Sequence, residues 1–289
     1  MNIGDEYDVN QNVGLVNFGN TCFMNASIQL LMVAKTLGFF LIEHKDDIGD
    51  INRKYTQTYL DYMHKATKIL GPKIMYVKYM QLNTRYQGMT QEDAHEFLTY
   101  TLDDMIENVI TTKNQNIIND MRKLFTIRIS QFVHYKKNQD VDSTKLIEEN
   151  MLILPIDDKC TNLSSCLDLY KIEDNEDFVL NYTLTDLPKY IFVSLKRFLN
   201  NGRTIQKLNN KIDAPFETNI FDGVNNYILE GFIMHVGGIM GGHYYAYGVR
   251  KINDENKWFI YNDNNVSQVN IDHIKKELKN AYVFLYSRK

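Results

Sequence analysis

The sequence predicts an α+β fold with an antiparallel sheet, because the periodicity of its apolar residues changes halfway along the chain. In the first half, residues 22–34 are apolar nearly all round, as in a buried helix, and residues 90–110 repeat apolar side chains at helical spacing. In the second half, short runs rich in β-branched and aromatic residues are separated by turn residues. Helices followed by strands, rather than alternating with them, are typical of α+β proteins.

The individual elements follow from the same patterns. Thr90, with Asp93 three residues later, resembles a capping box at the start of the second helix. The predicted strands span residues 190–198, 227–236, 243–250, 257–262 and 282–287. The predicted loops are the polar stretches 108–120 and 136–150.

Length and composition narrow the class of protein. The 289 residues, 44% of them hydrophobic, are enough to bury a sizeable core. With 32 basic and 36 acidic residues, the chain lacks the basic excess of a nucleic-acid binder. Three cysteines, an odd number, fit a reducing compartment such as the cytosol or nucleus. The N-terminus is polar rather than a signal peptide, and residues 28–42 are too short to span a bilayer, so we expect no membrane partner.

Cys22 is positioned to act as a nucleophile, because a tight turn at Gly19 and Asn20 leads directly into the first apolar helix. Unpaired N–H groups and the macrodipole at a helix N-terminus favour an anion, so we expect a lowered thiol pKa and an attacking thiolate. Asn25 and Gln29 project on about the same side as Cys22. The alternative is that Cys22 is a small core residue and that the two amides bond the local backbone.

His243 is the candidate general base among the seven histidines. It opens a predicted strand after the glycine-rich segment 237–242, which allows a mobile loop and close backbone approach. A polar cluster at residues 262–265 ends the next strand, and a side-chain oxygen there is expected to accept the Nδ1–H of the imidazole. The alternative is that this cluster is only a hydrophilic turn.

Two segments carry a family resemblance. Residues 14–29, GLVNFGNTCFMNASIQ, resemble the Cys box of ubiquitin-specific proteases, usually written GLxNxGNTCxMN. Residues 241–266 are similar to the His box of the same family, in which GGHYxAY is followed by W-x-x-[FY]-[ND]-D-x-x-V. The resemblance implies a cysteine protease and assigns a role to each matched position.

In that assignment Cys22 is the nucleophile, His243 the general base and Asn262 the third member of the triad. Asn17 lends its side-chain amide to an oxyanion hole, in which the backbone N–H of Cys22 is the other donor. Asp263 is the adjacent acidic residue that assists. The loss of one oxyanion-hole donor typically lowers turnover about 100- to 1000-fold.

Residues 91–97, QEDAHEF, resemble the family box Q-x-D-x-x-E-[FL]. Ubiquitin ends in a basic tail that finishes Arg-Gly-Gly, and the resemblance implies that Gln91, Asp93 and Glu96 bind this tail, with the two acids on its arginines. The alternative is that the acids merely complement a helix N-terminus. The resemblance also implies that Phe23 and Tyr244 narrow the slot over the two glycines.

The resemblance extends from about residue 14 to residue 287 and implies one catalytic domain with a papain-like fold. Residues 1–120 would form a mainly helical thumb, and residues 121–289 the fingers and an antiparallel-sheet palm. Residues 200–210 and 236–242 would be two blocking loops beside the tail channel. Most relatives bind a structural Zn²⁺ through two C-x-x-C pairs, which this sequence lacks. We therefore expect short, metal-free fingers and no cofactor.

The implied function is thiol-dependent hydrolysis of the thioester or isopeptide bond at the C-terminal glycine of ubiquitin. The expected partners are ubiquitin and ubiquitinated proteins, and the expected state is a monomer in the cytoplasm or nucleus, of a host cell if the chain is viral. Three alternatives stay open: a ubiquitin-binding pseudo-protease, a protease for another ubiquitin-like modifier, and a papain-like enzyme or acyltransferase with unrelated substrates.

Overall fold

The structure is a computed structural model that describes residues 12–46, 48–63, 69–82, 90–108, 114–136, 142–200, 202, 205–238 and 241–289. Its helices are α1 (Cys22–Val33), α2 (Lys35–Glu43), α3 (Asp50–Met63), α4 (Lys73–Leu82), α5 (Ala94–Glu107), α6 (Gln115–Phe125), α7 (Leu163–Lys171) and α8 (Ile271–Leu278). Six of these helices precede residue 126 and form the thumb, which confirms the helical character of the first part of the chain.

The strands begin with two short ones and then the fingers. They are β1 (Gly14–Leu15), β2 (Ile69–Leu70), β3 (Ile127–Tyr135), β4 (Ser143–Glu149), β5 (Leu152–Leu154), β6 (Ile172–Asp174) and β7 (Phe178–Asp186). The remaining strands are β8 (Tyr190–Leu195), β9 (Phe198–Asn200), β10 (Ile205–Lys207), β11 (Glu217–Thr218), β12 (Tyr227–Gly238), β13 (Gly241–Ile252), β14 (Glu255–Asn262), β15 (Asn265–Val269) and β16 (Val283–Arg288).

An eight-stranded sheet forms the palm, in the order β15-β14-β13-β12-β16-β8-β5 with β11 paired to β12. All its pairings are antiparallel except that of β5 with β8. The five strands predicted in the second half all belong to this sheet, so the α+β prediction is confirmed. A separate antiparallel sheet, β4-β3-β7-β6, forms the fingers.

Helix α1 lies against the middle of the palm sheet, with every one of its residues buried. Gly231 of β12 and Gly248 of β13 are paired across the sheet and face this helix. A Cβ atom at Gly231 would lie 2.7 Å from Cδ1 of Leu30, and one at Gly248 would lie 2.7 Å from Cγ2 of Val33. The two glycines therefore allow the helix that begins at Cys22 to approach the sheet closely.

Two predicted loops contain regular structure. Residues 115–120 belong to α6, which Asn114 caps by accepting a hydrogen bond from the N–H of Asn116. Its buried side chains, Met121, Leu124 and Phe125, follow helical spacing beyond the polar stretch from which the loop was predicted. Residues 143–149 form β4, an edge strand of the fingers sheet. Its side chains are almost all exposed, so it has no apolar alternation to reveal it.

The predicted capping box at Thr90 is also wrong. The N-cap of α5 is Asp93, whose carboxylate accepts a hydrogen bond from the N–H of His95. Helix α5 itself is confirmed from residue 94 to residue 107, and residues 109 and 110 of the predicted helix lie outside the described residues. Helix α6 runs from Gln115 to Phe125, and the division of the chain at residue 120 stays a prediction.

Within the described part of the chain, no single helix is long and apolar enough to cross a membrane. Helices α1 and α2 together satisfy that test by length and composition, but the chain bends by 79° between them.

We expect Gly231→Ala to destabilise the fold. The added Cβ would lie 2.6 Å from the backbone oxygen of Tyr247, so a strand or the helix must shift, and overpacking of this kind costs about 1–3 kcal/mol. Urea unfolding would measure the change. Gly238→Ala is the matched control, because a Cβ there meets no atom within 4 Å, and we expect a change within about 0.5 kcal/mol. Equal unfolding free energies for the two variants would contradict the close approach of α1.

Candidate active site

The turn before α1 is held by the side chain of Asn17. Its Oδ1 accepts hydrogen bonds from the backbone N–H of Gly19 at 3.0 Å and from the N–H and hydroxyl of Thr21, each at 3.1 Å. Gly19 and Asn20 have φ values of 93° and 54°, which confirms the tight turn predicted there. The amide oxygen of Asn17 is thus fully engaged, and its Nδ2 group is turned the other way.

Asp263 receives that Nδ2 group and connects the turn to the end of β14. Its Oδ2 accepts from Nδ2 of Asn17 at 2.9 Å, and its Oδ1 accepts from Nδ2 of Asn25 at 2.7 Å. Its backbone oxygen accepts from the N–H of Leu15 at 2.8 Å. A Cβ at Gly14 would lie 2.4 Å from the backbone oxygen of Asn264, so this contact needs glycine. Asp263 therefore holds the turn before α1, the helix itself and the end of β14 together.

His243 and Asn262 are in direct contact. Nε2 of the imidazole lies 2.6 Å from Oδ1 of Asn262. The amide oxygen can only accept, so Nε2 carries the hydrogen, and Nδ1 is the ring nitrogen left to exchange a proton with a substrate or a thiol. The prediction that Nδ1–H is the donor is therefore wrong, whereas the pairing of the two residues is observed. Which ring nitrogen of His243 meets Asn262 depends on how β13 lies against the end of β14. No sequence pattern encodes that arrangement.

Cys22 is the first residue of α1 and is only 3% exposed. The backbone N–H of Tyr244, the residue after His243, hydrogen-bonds to its sulfur. Burial is the largest influence and raises the pKa of the thiol. The bond from Tyr244 lowers the pKa, the charge of Asp263 raises it, and the N–H groups of Phe23 and Cys22 lower it, so the net change is upward.

The expectation of a lowered thiol pKa at the helix N-terminus is therefore wrong. Burial of the sulfur destabilises the thiolate by more than the hydrogen bonds from the N–H groups stabilise it. The contact with Tyr244 nevertheless brings the segment that carries Cys22 next to the one that carries His243, although 221 residues separate the two in the sequence.

The other amides of α1 tie the helix to its surroundings. Nε2 of Gln29 donates to the backbone oxygen of Val13 at 2.7 Å, as the structural alternative for these amides expected. Asn25 bonds two other side chains: its Oδ1 accepts from the hydroxyl of Tyr76, and its Nδ2 donates to Asp263. Nothing in the sequence pattern pointed to Tyr76, which lies on α4 far from either box.

The residues predicted to bind a tail lie where the thumb meets the palm. Oε1 of Gln91 accepts from the N–H of Gly242 at 2.9 Å. Both oxygens of the Asp93 carboxylate lie within 2.8 Å of the hydroxyl of Tyr282. Glu96 is half-buried one turn along α5. The binding roles of the three stay predictions.

Phe23 and Tyr244 were predicted to narrow a slot. Phe23 is 2% exposed and packs edge to face on Phe97 at 5.7 Å, so in this conformation it belongs to the core. Tyr244 is 6% exposed, and its hydroxyl accepts a hydrogen bond from the N–H of Ala94. Burial raises the pKa of the Tyr244 hydroxyl, which therefore stays neutral.

The two predicted blocking loops correspond to hairpins, β9–β10 and β12–β13. Residues 201, 203, 204, 239 and 240 of these loops lie outside the described residues. Nζ of Lys207 on β10 donates to the backbone oxygens of His235 and Gly237 on β12, each at 2.9 Å, and joins the hairpins. Burial, followed by the charge of Lys207, lowers the pKa of His235 to about 4. Sequence reasoning missed both residues, which lie within the predicted loop and strand.

Cys160 and Cys166 are buried in the core below the palm, where their thiols hydrogen-bond to each other. Burial, and next the Cys160 thiol, raise the pKa of Cys166 to about 12. Among the residues that the structure describes, no group of three or more His, Cys, Asp or Glu side chains could hold a metal ion. Metal-free fingers stay a prediction that agrees with this arrangement.

The chain is similar in sequence to a known family of hydrolases. A family model described as ubiquitin carboxyl-terminal hydrolase matches residues 13–286. The chain is 26% identical to a probable ubiquitin carboxyl-terminal hydrolase 16 of Schizosaccharomyces pombe, over 96% of this chain and 66% of that protein. It is 25% identical to ubiquitin carboxyl-terminal hydrolase Usp2 of Drosophila melanogaster, over 95% of this chain and 34% of that protein. The chain thus spans about one third to two thirds of these relatives.

Solved structures share the fold. A chain in the SAGA Ubp8/Sgf11/Sus1/Sgf73 DUB module bound to ubiquitin aldehyde has a TM-score of 0.80 and 21% identity, with 98% of this chain and 71% of that one covered. A chain of the module bound to monoubiquitin has a TM-score of 0.82, with 98% and 70% covered. Because the family match extends over nearly the whole length and encloses every residue of the site, the chain belongs to the ubiquitin carboxyl-terminal hydrolase family.

Proposed function

We propose that this protein is a cysteine protease that removes ubiquitin from proteins, with Cys22, His243 and Asn262 as its catalytic residues. The observation that carries the proposal is the meeting of three remote segments: the His243–Asn262 pair, the thiol of Cys22 and the turn that holds Asn17. The family match supports ubiquitin as the substrate. A pseudo-protease would be expected to lack one of these side chains, and all are present.

In the proposed reaction, Nδ1 of His243 takes the proton of the Cys22 thiol as the sulfur attacks the carbonyl carbon of the terminal glycine. The negative charge that develops on the carbonyl oxygen is stabilised by the N–H of Cys22 and by Nδ2 of Asn17. The imidazolium then protonates the leaving lysine amine, and the C–N bond breaks. Water, deprotonated by His243, hydrolyses the thioester and releases ubiquitin and the free thiol.

Asn17 and Asp263 have complementary proposed roles. An amide nitrogen has two hydrogens, and Asp263 accepts only one from Nδ2 of Asn17, so the other is available to the developing oxyanion. Asp263 thus orients the oxyanion donor, and Asn262 orients the base. The raised pKa of the Cys22 thiol means that it is neutral at rest, so proton transfer to His243 is part of the reaction.

We extend the proposal to surroundings and partners. The three cysteines are free, which suits the reducing cytoplasm or nucleus. Ubiquitin and ubiquitinated proteins are the proposed partners, and the monomeric state stays a prediction. Fluorogenic conjugates of ubiquitin and of other ubiquitin-like modifiers, compared at equal concentration, would identify the preferred modifier. Preferential cleavage of the ubiquitin conjugate is the expected result, and preference for another modifier would overturn this choice of substrate.

Cys22→Ala should abolish cleavage of a fluorogenic ubiquitin substrate and labelling by a ubiquitin active-site probe. Removal of a nucleophile typically lowers turnover about 10⁶-fold, because no other group can form the covalent intermediate. Cys160→Ala is the matched control, since it deletes a different buried thiol. We expect its activity to stay within a few-fold of the unmodified protein. Turnover by Cys22→Ala would refute the assignment of the nucleophile.

Asn17→Ala should lower kcat about 100- to 1000-fold with little change in KM, because the donor acts on charge that exists only in the transition state. Steady-state kinetics on the same substrate would measure this. Asn256→Ala, at an exposed position on β14, is the control and should be neutral. An Asn17→Ala enzyme that lost affinity for substrate but kept its kcat would exclude the oxyanion role.

Iodoacetamide should alkylate Cys22 of the ligand-free protein at a rate that rises about tenfold per pH unit and still climbs past pH 9, because the thiol pKa is raised. In Asp263→Asn the negative charge that raises this pKa is removed, so the profile should move to lower pH. Mass spectrometry would follow the modification, with Cys22→Ala to correct for the other thiols. A plateau below pH 8 would show a lowered pKa instead.

A further inference from the structure

Three residues of the thumb segment 91–94 each contact the palm. The Gln91 side chain accepts from the N–H of Gly242, the Asp93 carboxylate accepts from the hydroxyl of Tyr282, and the N–H of Ala94 donates to the hydroxyl of Tyr244. These contacts join the start of α5 to β13 and to the residue that precedes β16. We call residues 91–94 the thumb–palm junction.

Both oxygens of the Asp93 carboxylate already have hydrogen-bond partners within the protein. Its Oδ1 accepts from the N–H of His95 at 2.8 Å and lies 3.1 Å from Nδ1 of the same residue. The hydroxyl of Tyr282 lies 2.8 Å from Oδ1 and 2.7 Å from Oδ2. Burial raises the pKa of Asp93, but the bonds and charge of His95 and the bond from Tyr282 outweigh it, so the pKa is lowered and the carboxylate stays ionised.

Tyr282 is fixed in the palm and cannot easily turn away. Its ring is 3% exposed, its N–H donates to the backbone oxygen of Ile233 at 2.8 Å, and its backbone oxygen accepts from Leu195 at 3.0 Å. An arginine that bound Asp93 through two parallel hydrogen bonds would need both carboxylate oxygens. It would displace the Tyr282 hydroxyl from the charged carboxylate and leave it Nδ1 of His95, 3.0 Å away, as its partner. Hydrogen bonds to charged groups are the stronger ones, so this exchange is unfavourable.

The junction is also connected to the nucleophile. Tyr244 accepts from Ala94 through its hydroxyl and donates to the sulfur of Cys22 through its backbone N–H. The hydroxyl of Ser27 on α1 donates to the backbone oxygen of Phe23 at 2.7 Å and lies 3.3 Å from the backbone oxygen of Ala94. A shift of the start of α5 would therefore move the groups that surround the thiol.

We propose that Asp93 is a positioning residue that ties thumb to palm behind the nucleophile, and not a binder of the tail arginines. Glu96, half-buried one turn further along α5, is the carboxylate of the predicted pair that binds an arginine. This inference rests on the proposed function for its substrate, ubiquitin. It changes the role of one predicted binding residue and adds Tyr282, which no sequence motif singled out.

The test combines protein variants with ubiquitin substrates whose tail arginines are kept or replaced by alanine. Asp93→Asn should lower kcat/KM about 10- to 100-fold on both substrates, mainly through kcat, because the loss of a hydrogen bond to a charged group disturbs the site and not the tail contact. Glu96→Gln should lower kcat/KM only on the substrate that keeps its arginines. Asp272→Asn, also an acid in the first turn of a helix but 88% exposed, should be neutral.

Tyr282→Phe keeps the ring and removes only the donor, so it covers the case in which Asp93→Asn does not fold. It should reproduce the loss of kcat, and the double variant should be no worse than the poorer single one. An Asp93→Asn loss that disappears on the arginine-free substrate would overturn the proposal and make Asp93 an arginine binder. Full activity of Tyr282→Phe would overturn it as well.

Failure of the proposed function would be distinguishable. If the unmodified protein cleaved no ubiquitin substrate, the proposed function would fall, but the junction could still be measured by unfolding. Thermal unfolding of Asp93→Asn, Tyr282→Phe and the double variant should show melting temperatures lowered by similar amounts in all three. Additive losses, or no loss in the single variants, would show that the pair does not tie the thumb to the palm.

Discussion

The candidate site depends on one half-buried carboxylate, that of Asp263. It accepts from the amides of Asn17 and Asn25, and its backbone accepts from Leu15, so a single residue just after β14 holds the turn before Cys22 and the first turn of α1. Charge-assisted hydrogen bonds are about twice as strong as neutral ones. Asn262, the preceding residue, holds His243. The turn before α1 and the imidazole of His243 are therefore both held by two adjacent residues, the last residue of β14 and the first of the turn that follows it.

This arrangement has an electrostatic cost at the sulfur. The same carboxylate that orders the two amides lies close enough to Cys22 to disfavour a thiolate, and burial acts in the same direction. Backbone N–H groups from Tyr244, Phe23 and Cys22 oppose both effects without overcoming them. The Cys22 thiol is therefore neutral at rest.

The fold explains how such remote segments meet. Helix α1 packs on the centre of the palm sheet, and the paired glycines of β12 and β13 let it lie close enough for its first residue to touch the loop end of β13. The thumb–palm junction then fixes α5 against the same strands. The C-x-x-C pairs that the family resemblance leads one to expect are missing from this sequence. The hydrogen bonds described for Asn17, Asn25 and His243 involve no residue of the fingers sheet.

Runs and repeats of apolar residues were enough to predict α1, α5 and the palm strands, since α1 is buried on all sides and α5 buries one face. It failed for α6 and for β4, whose polar or exposed residues carry no such contrast. The residues of the candidate site could be named because they lie in long contiguous motifs. The contacts between these residues could not be predicted. Distant segments must come together before an imidazole nitrogen of His243 can meet Asn262 or Tyr282 can meet Asp93.

The sequence by itself determined the family, the candidate triad and the α+β class, because these are properties of local runs of residues. The tertiary structure alone decided the electrostatic state of the site. Burial raises the pKa of the Cys22 thiol, whereas its place at a helix N-terminus predicts a lowered one. Phe23 lies in the core, and Asp93 accepts a hydrogen bond from Tyr282 of the palm. The physical reason is that desolvation and hydrogen-bond partners are set by segments that are close in space and far apart along the chain.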